Sequence, residues 1–181
     1  MSKKRIKVLE LTFETSISAE SIQAEVSRIA EDMNRDLANK NPIFLGILNG
    51  AFMFASDLFK QINIPCQITF LKLASYEGIQ SSGTVKQLIG INQDLKDRTV
   101  VILEDIVDTG ITLETIIRQL SGYQPKEILV ATMLHKPDAL QKKVKLDYVG
   151  FNIPNEFVLG YGLDYNGYAR NLPEIYTLVK D

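Results

Sequence analysis

Ile22, Val26, Ile29, Met33 and Leu37 recur at steps of three and four with Glu, Gln, Arg and Asp between them, the apolar stripe of an amphipathic helix. The spacing predicts a helix over 18–39 with Ser18 as its N-cap. Asn41-Pro42 closes it, because proline disfavours helical backbone in the residue before it. Residues 43–48 then form an unbroken apolar run, the pattern of a strand buried on both faces. Asn49-Gly50 is a turn, 51–62 is helical in pattern, and 66–73 alternates as a second strand. Further along, 99–103 is a buried strand and 111–120 a helix closed by Gly122 and Pro125. Strands are expected again at 126–134 and 147–151.

Strands that alternate with helices over most of the chain predict an α/β fold: one domain over 1–181 with an open, mainly parallel sheet. Ligands of such sheets sit beyond the carboxyl ends of the strands, so the strand-to-helix turns are the places to search. The segment 74–87 carries Gly78, Gly83, three serines and few apolar residues, and is the longest loop candidate. On its own it is equally a hairpin or a slack surface. From Pro154 onward the chain is rich in Gly, Tyr and Asn without a helical period, which suggests a small cap.

Composition narrows the function. A chain of 181 residues buries roughly 70% of its unfolded surface and needs no disulfide or structural metal to hold a core. Twenty Lys and Arg against 22 Asp and Glu leave a net charge of −2, no electrostatic footprint for nucleic acid. Cys66 is the single cysteine and His135 the single histidine, which excludes an internal disulfide and a Cys/His zinc site. Val8 to Phe13 is short and interrupted by Glu10 and Thr12, unlike a signal peptide. The most apolar stretch, 43–55, is cut by Asn49-Gly50 and is shorter than the ~20 residues of a membrane span. The expectation is a cytoplasmic protein without a membrane partner.

The informative segment runs from Val100 to Leu113: an apolar run, Glu104-Asp105, two apolar residues, Asp108-Thr109-Gly110, Ile111 and Thr112. Small and hydroxylated residues before a helix aim backbone amides and the positive helix end at one point, a phosphate site. Glu104 and Asp105 would repel a bare phosphate. They call for sugar hydroxyls or a divalent cation beside it, and a ribose phosphate satisfies both conditions. The alternative for the Asp-Thr-Gly turn by itself is a capped helix with solvated acids.

At this string the sequence resembles the type I phosphoribosyltransferases, whose diphosphate-ribose motif has this form. Leu48-Asn49-Gly50-Ala51, Ser75-Tyr76, His135-Lys136, Phe157-Val158, Gly160-Tyr161-Gly162, Asp164 and Arg170-Asn-Leu-Pro173 resemble the hypoxanthine-guanine branch, in the same order. The resemblance implies a small hood built from the chain termini over the sheet. It implies Mg2+-dependent transfer of phosphoribosyl from 5-phospho-α-D-ribosyl diphosphate to a 6-oxopurine. Glu104 and Asp105 would hold the ribose hydroxyls, near the magnesium, and Asp108, Thr109, Gly110, Ile111 and Thr112 the 5-phosphate. Asp108 would take the purine ring proton. Lys136 would donate to the 6-oxygen, Phe157 would stack on the ring, and backbone carbonyls of Val158 and Asp164 would accept from the base edge. Asp164 would also be the protein ligand of magnesium. Asn49, Gly50 and Arg170 would hold diphosphate, with Ser75 and Tyr76 opening a mobile lid. A cis or strained Leu48-Asn49 bond is expected.

Taken singly, Lys136 is a solvated charge at a strand end, Phe157 a core residue and Asp108 an N-cap. The chain also departs from the pattern, since many members carry Lys or Arg where Asn49 stands, so one cationic diphosphate contact is missing. Two other readings remain: a non-catalytic sensor of phosphoribosyl diphosphate, and a transferase for another base such as xanthine. The family is commonly a homodimer or homotetramer. Phe52 and Phe54 are candidates for an interface and equally for the core.

Overall fold

The computed structural model describes residues 4–74, 86–89 and 91–179. In chain order its elements are β1 (Arg5–Val8), β2 (Leu11–Ile17), α1 (Ala19–Asp36), β3 (Ile43–Leu48), α2 (Phe52–Phe59), β4 (Gln67–Ala74), β5 (Lys86–Ile89), β6 (Thr99–Val107), α3 (Ile111–Ser121), β7 (Glu127–His135), β8 (Tyr148–Asn152), β9 (Val158–Leu159) and β10 (Ile175–Leu178).

The main sheet has the order β5-β4-β3-β6-β7-β8. It is parallel from β4 to β8, and only β5 runs antiparallel, against β4. The unbroken apolar runs of β3 and β6 take its centre, where both faces are covered. Strand alternation sends Phe44, Val101 and Leu103 toward Ile22, Val26, Ile29 and Met33 of α1 and Phe54 and Leu58 of α2. Ile43, Leu45, Val100 and Ile102 go to the other face, against Leu113, Ile116 and Leu120 of α3. Phe54 is therefore core, while Phe52 stays exposed.

Ser18 is the N-cap of α1 as expected, its hydroxyl accepting from Ser21 N at 3.2 Å. The helix closes at Asp36, before the expected 39, because the chain turns through Asn39 and Asn41, both with positive φ. Asparagine is among the residues that visit this region readily. α2 is likewise shorter than its pattern. It ends at Phe59 and tightens into three-residue turns from Gln61 N to Leu58 O and Ile62 N to Phe59 O. β4 pairs antiparallel with β5. Residues 75–85, with Ser75, Tyr76 and the expected lid, lie outside the described residues.

A second, antiparallel sheet of order β1-β2-β10-β9 joins the two ends of the chain around Phe13, Leu159 and Tyr176. This is the hood. Its C-terminal half matches the expected cap, whereas β1 and β2 were assigned no element from periodicity. Among the described residues no helix is long and apolar enough to cross a membrane.

Candidate active site

The expected strand at 99–103 extends to Val107, because β6 keeps pairing with β7 through Glu104 opposite Thr132 and Val107 opposite His135. Glu104 and Asp105 therefore sit within the sheet rather than on a turn after it. Alternation turns them to different sides. Glu104 is buried, 7% exposed, and lines a cavity of about 210 Å³ together with Asp108, Thr109, Gly110 and Thr112. Asp105 turns instead to Gly50, whose added Cβ would stand 1.6 Å from its Oδ2. Burial, with Asp105 nearby, pushes the Glu104 carboxyl well above the usual carboxylate range. Burial raises Asp105 to about 6, against the opposing pull of the Ile106 amide and Arg170.

Gly110, with φ of +78°, is the N-cap of α3 and brings no side-chain cap. Ile111 N donates to Thr109 Oγ1 at 3.4 Å, and a helix start without a capping side chain at the N-cap itself offers its next amides to an anion. A side chain here would crowd Lys142 O at 3.0 Å and would strain the left-handed backbone. The loop is braced from behind: Thr109 O accepts from Gln141 N at 2.9 Å and Lys142 N at 3.1 Å. No local signal in the sequence marks those two braces.

Asp108 is not the N-cap. Its Oδ2 accepts from Lys136 Nζ at 2.8 Å. Nor is Lys136 a solvated charge: it is 7% exposed and its amide is tied to Val107 O at 3.0 Å. Parallel pairing of β6 with β7 brings the two strand ends level, so a carboxylate and an ammonium meet at the rim of the cavity.

From the hood, Phe157 is 43% exposed and so is not core. Its ring rests on Phe13 at 6.0 Å and edge-on against Tyr165 at 5.8 Å between centroids. Val158 in β9 is buried. Asp164 Oδ1 pairs with Arg170 Nη2 at 2.6 Å and its Oδ2 accepts from Gly167 N at 2.7 Å. Arg170 Nη1 donates to Gly162 O at 2.8 Å. The Leu48-Asn49 peptide is cis, and the Asn49 side chain is exposed. Gly162, to which no role was attached in the sequence, packs on the next residue of that loop, since its added Cβ would lie 2.0 Å from Gly50 O.

A parallel sheet that brings the buried Glu104, the half-buried Asp105, a helix start and a carboxylate–ammonium pair to one edge, beneath an antiparallel hood, has an architecture suited to a sugar phosphate. The family model "Phosphoribosyl transferase domain" matches residues 17–166, and the chain belongs to that family of pentosyl-transferring enzymes. It is similar to the hypoxanthine-guanine phosphoribosyltransferase of Mycobacterium tuberculosis strain H37Rv, 39% identical over 169 residues that span 90% of this chain and 84% of the relative. It is similar also to that of Streptococcus pneumoniae strain R6, 37% identical over 91% of this chain and 92% of the relative. Among solved structures, a hypoxanthine phosphoribosyltransferase from Staphylococcus aureus superposes with a TM-score of 0.86 at 36% identity, covering 92% of this chain and 91% of that one.

Proposed function

We propose that the protein acts in purine salvage: it transfers phosphoribosyl from 5-phospho-α-D-ribose 1-diphosphate to hypoxanthine and guanine, giving IMP or GMP and diphosphate. The observation that carries this reading is the buried Lys136 held on Asp108 at the rim of the anion loop. An ammonium has donors only, so it selects a carbonyl over an amino group and disfavours adenine. The carboxylate beside it accepts the ring N–H proton as the purine nitrogen bonds to the anomeric carbon and the bond to diphosphate breaks. Proton transfer of this kind is worth roughly a hundred- to ten-thousand-fold in rate. Phe157 offers the base an exposed ring already seated on Phe13 and Tyr165.

The 5-phosphate takes amides and hydroxyls of residues 108–112, the loop at the start of α3, where the N-cap Gly110 supplies no side chain. Glu104 lines the same cavity, Asp105 approaches from the other side, and the two carboxylates accept from the ribose hydroxyls. Gly50, Asn49 through its backbone, and Arg170 hold the diphosphate, together with Ser75 and Tyr76.

Magnesium fits Asp164. Among the described residues no group of three or more metal-ligating side chains occurs, and Mg2+ is ordinarily held by one or two carboxylates plus substrate oxygens and waters. The ion would neutralise charge on the leaving diphosphate, with Asp164 released from Arg170 to hold it and Glu104 and Asp105 nearby. The chain is further read as one cytoplasmic domain over 1–181, assembled as a homodimer or homotetramer with exposed Phe52 available to an interface.

The test is diphosphate release from phosphoribosyl diphosphate and Mg2+ with hypoxanthine, guanine, xanthine and adenine in parallel, beside Asp108→Asn. The expected result is turnover with hypoxanthine or guanine, little with adenine, and a fall of about a hundredfold or more in the variant. Binding of phosphoribosyl diphosphate without turnover on any base would make the protein a sensor. Turnover on xanthine alone would reassign the base.

A further inference from the structure

Between β9 and Asp164 the chain folds back through Gly160, Tyr161 and Gly162, with φ of +95°, +49° and +101°. Glycine adopts such backbone freely, but tyrosine does so only where its surroundings hold it. Tyr161 is held at both ends. Its amide donates to Leu172 O at 2.8 Å. Its ring is buried, 2% exposed, and its hydroxyl leaves the hood to donate to Asp57 Oδ2 at 2.9 Å. Burial and the facing Asp57 carboxylate push the phenol's ionisation far up, so it remains a donor.

Asp57 belongs to α2, the helix that begins immediately after the Asn49-Gly50 turn. Its carboxylate is anchored independently of the hood, by Gln23 Nε2 of α1 at 2.8 Å and Lys60 Nζ at 2.7 Å. The residue after Tyr161 is Gly162, seated on Gly50 O and accepting from Arg170 Nη1 at 2.8 Å. The hydroxyl therefore ties the strap to the very helix whose leading loop the strap covers.

We propose that Tyr161 is a positioning residue for phosphoribosyl transfer: latched on Asp57, it sets the spacing between the strap and the 48–50 loop, and so places the Gly50 backbone and Arg170 at the diphosphate end of the site. The inference rests on the phosphoribosyl-transfer reading above. Phe157, the stacking residue of the purine end, is seated within the hood on Phe13 and Tyr165, so the larger effect is expected at the diphosphate end.

The experiment compares Tyr161→Phe, Asp57→Ala and Asp57→Asn with the unaltered protein. The readouts are calorimetric binding of phosphoribosyl diphosphate with Mg2+, KM for each substrate, and Tm. Losing a hydrogen bond to a charged acceptor is expected to weaken phosphoribosyl diphosphate binding about tenfold in Tyr161→Phe and Asp57→Ala. KM for that substrate rises in step, while KM for hypoxanthine stays within about twofold. Asp57→Asn keeps an acceptor for the hydroxyl and restores most of the binding. A lower Tm with both KM values and the binding unchanged would reduce Tyr161 to a structural role and overturn the proposal. So would an equal rise in both KM values. Should Tyr161→Phe fail to fold, the two Asp57 variants decide by the same criteria. Should the unaltered protein bind the sugar diphosphate yet turn over no base, the base assignment fails while the binding series still reads the latch. Absence of any binding sinks both.

Discussion

The backbone of Gly50 lies directly on the carboxylate of Asp105, so closely that an added Cβ would stand 1.6 Å from Oδ2. Gly162 presses on the other side of Gly50. Sheet, loop and hood thus meet through two glycines and one acid, with no side chain between them. Partial burial raises the Asp105 carboxyl to about 6, above its ordinary 3.8. Placing an acid where it is hard to ionise is a stability penalty that a site can carry when a ligand later uses the oxygens.

That penalty has a defined sign in pH. Between 3.8 and about 6 the folded protein binds more protons at Asp105 than the unfolded chain does. Stability from this group therefore declines as pH rises through that window, and the loss is complete above it. Its size is at most roughly 3 kcal/mol. Asp105→Asn keeps the oxygen that accepts from Ile106 N at 2.9 Å and removes the charge. Denaturant unfolding is expected to show the variant close to the unaltered protein near pH 4 and more stable near pH 7. An unchanged difference between the two pH values would refute the assignment of the shift to Asp105.

The glycine stack separates space from backbone strain. Gly50→Ala places a methyl inside the Asp105 carboxylate, and Gly162→Ala places one 2.0 Å from Gly50 O. Both are expected to abolish productive phosphoribosyl diphosphate binding, because one obstacle is backbone and the other a short side chain whose Oδ1 is held by Ile106 N at 2.9 Å. Gly167→Ala is the control: its φ is +84°, but nothing lies within 4 Å of an added Cβ. It is expected to lose only about 1–2 kcal/mol of stability and to keep its KM. Thermal melts and initial rates on the three variants distinguish these effects.

Phe157 tests the other end. Base–aromatic stacking is worth about 1–3 kcal/mol per base, so Phe157→Ala is expected to raise KM for hypoxanthine about fivefold to a hundredfold while leaving KM for phosphoribosyl diphosphate unchanged. A rise in the sugar-diphosphate KM alone, measured by initial rates, would remove Phe157 from the purine site.

Local patterns were enough for much of this molecule. The stripe from Ile22 to Leu37 became α1 with its Ser18 cap, and the runs 43–48 and 99–103 became the two central strands. The string from Glu104 to Thr112 marked the end of β6 and the start of α3, because a helix start needs only neighbouring residues to aim its amides. The cis bond at Leu48-Asn49, expected from family resemblance, is present.

What needed the fold were the relationships between distant segments. β2 pairs with its neighbour β1 along one edge, and β10, some 160 residues later, pairs along the other to make the hood. Taken singly Lys136 reads as a solvated charge at a strand end, and only the alignment of β7 with β6 sets its ammonium on Asp108. Nothing local in the sequence links Asp57 to Tyr161, and their contact exists only because the segment after β9 crosses α2. The amino-acid sequence alone determined which segments are apolar enough to be buried and which turn can hold an anion, since those are properties of neighbours. Tertiary structure decided which charges lose water and which partners they find. Desolvation and hydrogen bonding depend on what other parts of the chain bring within a few ångströms.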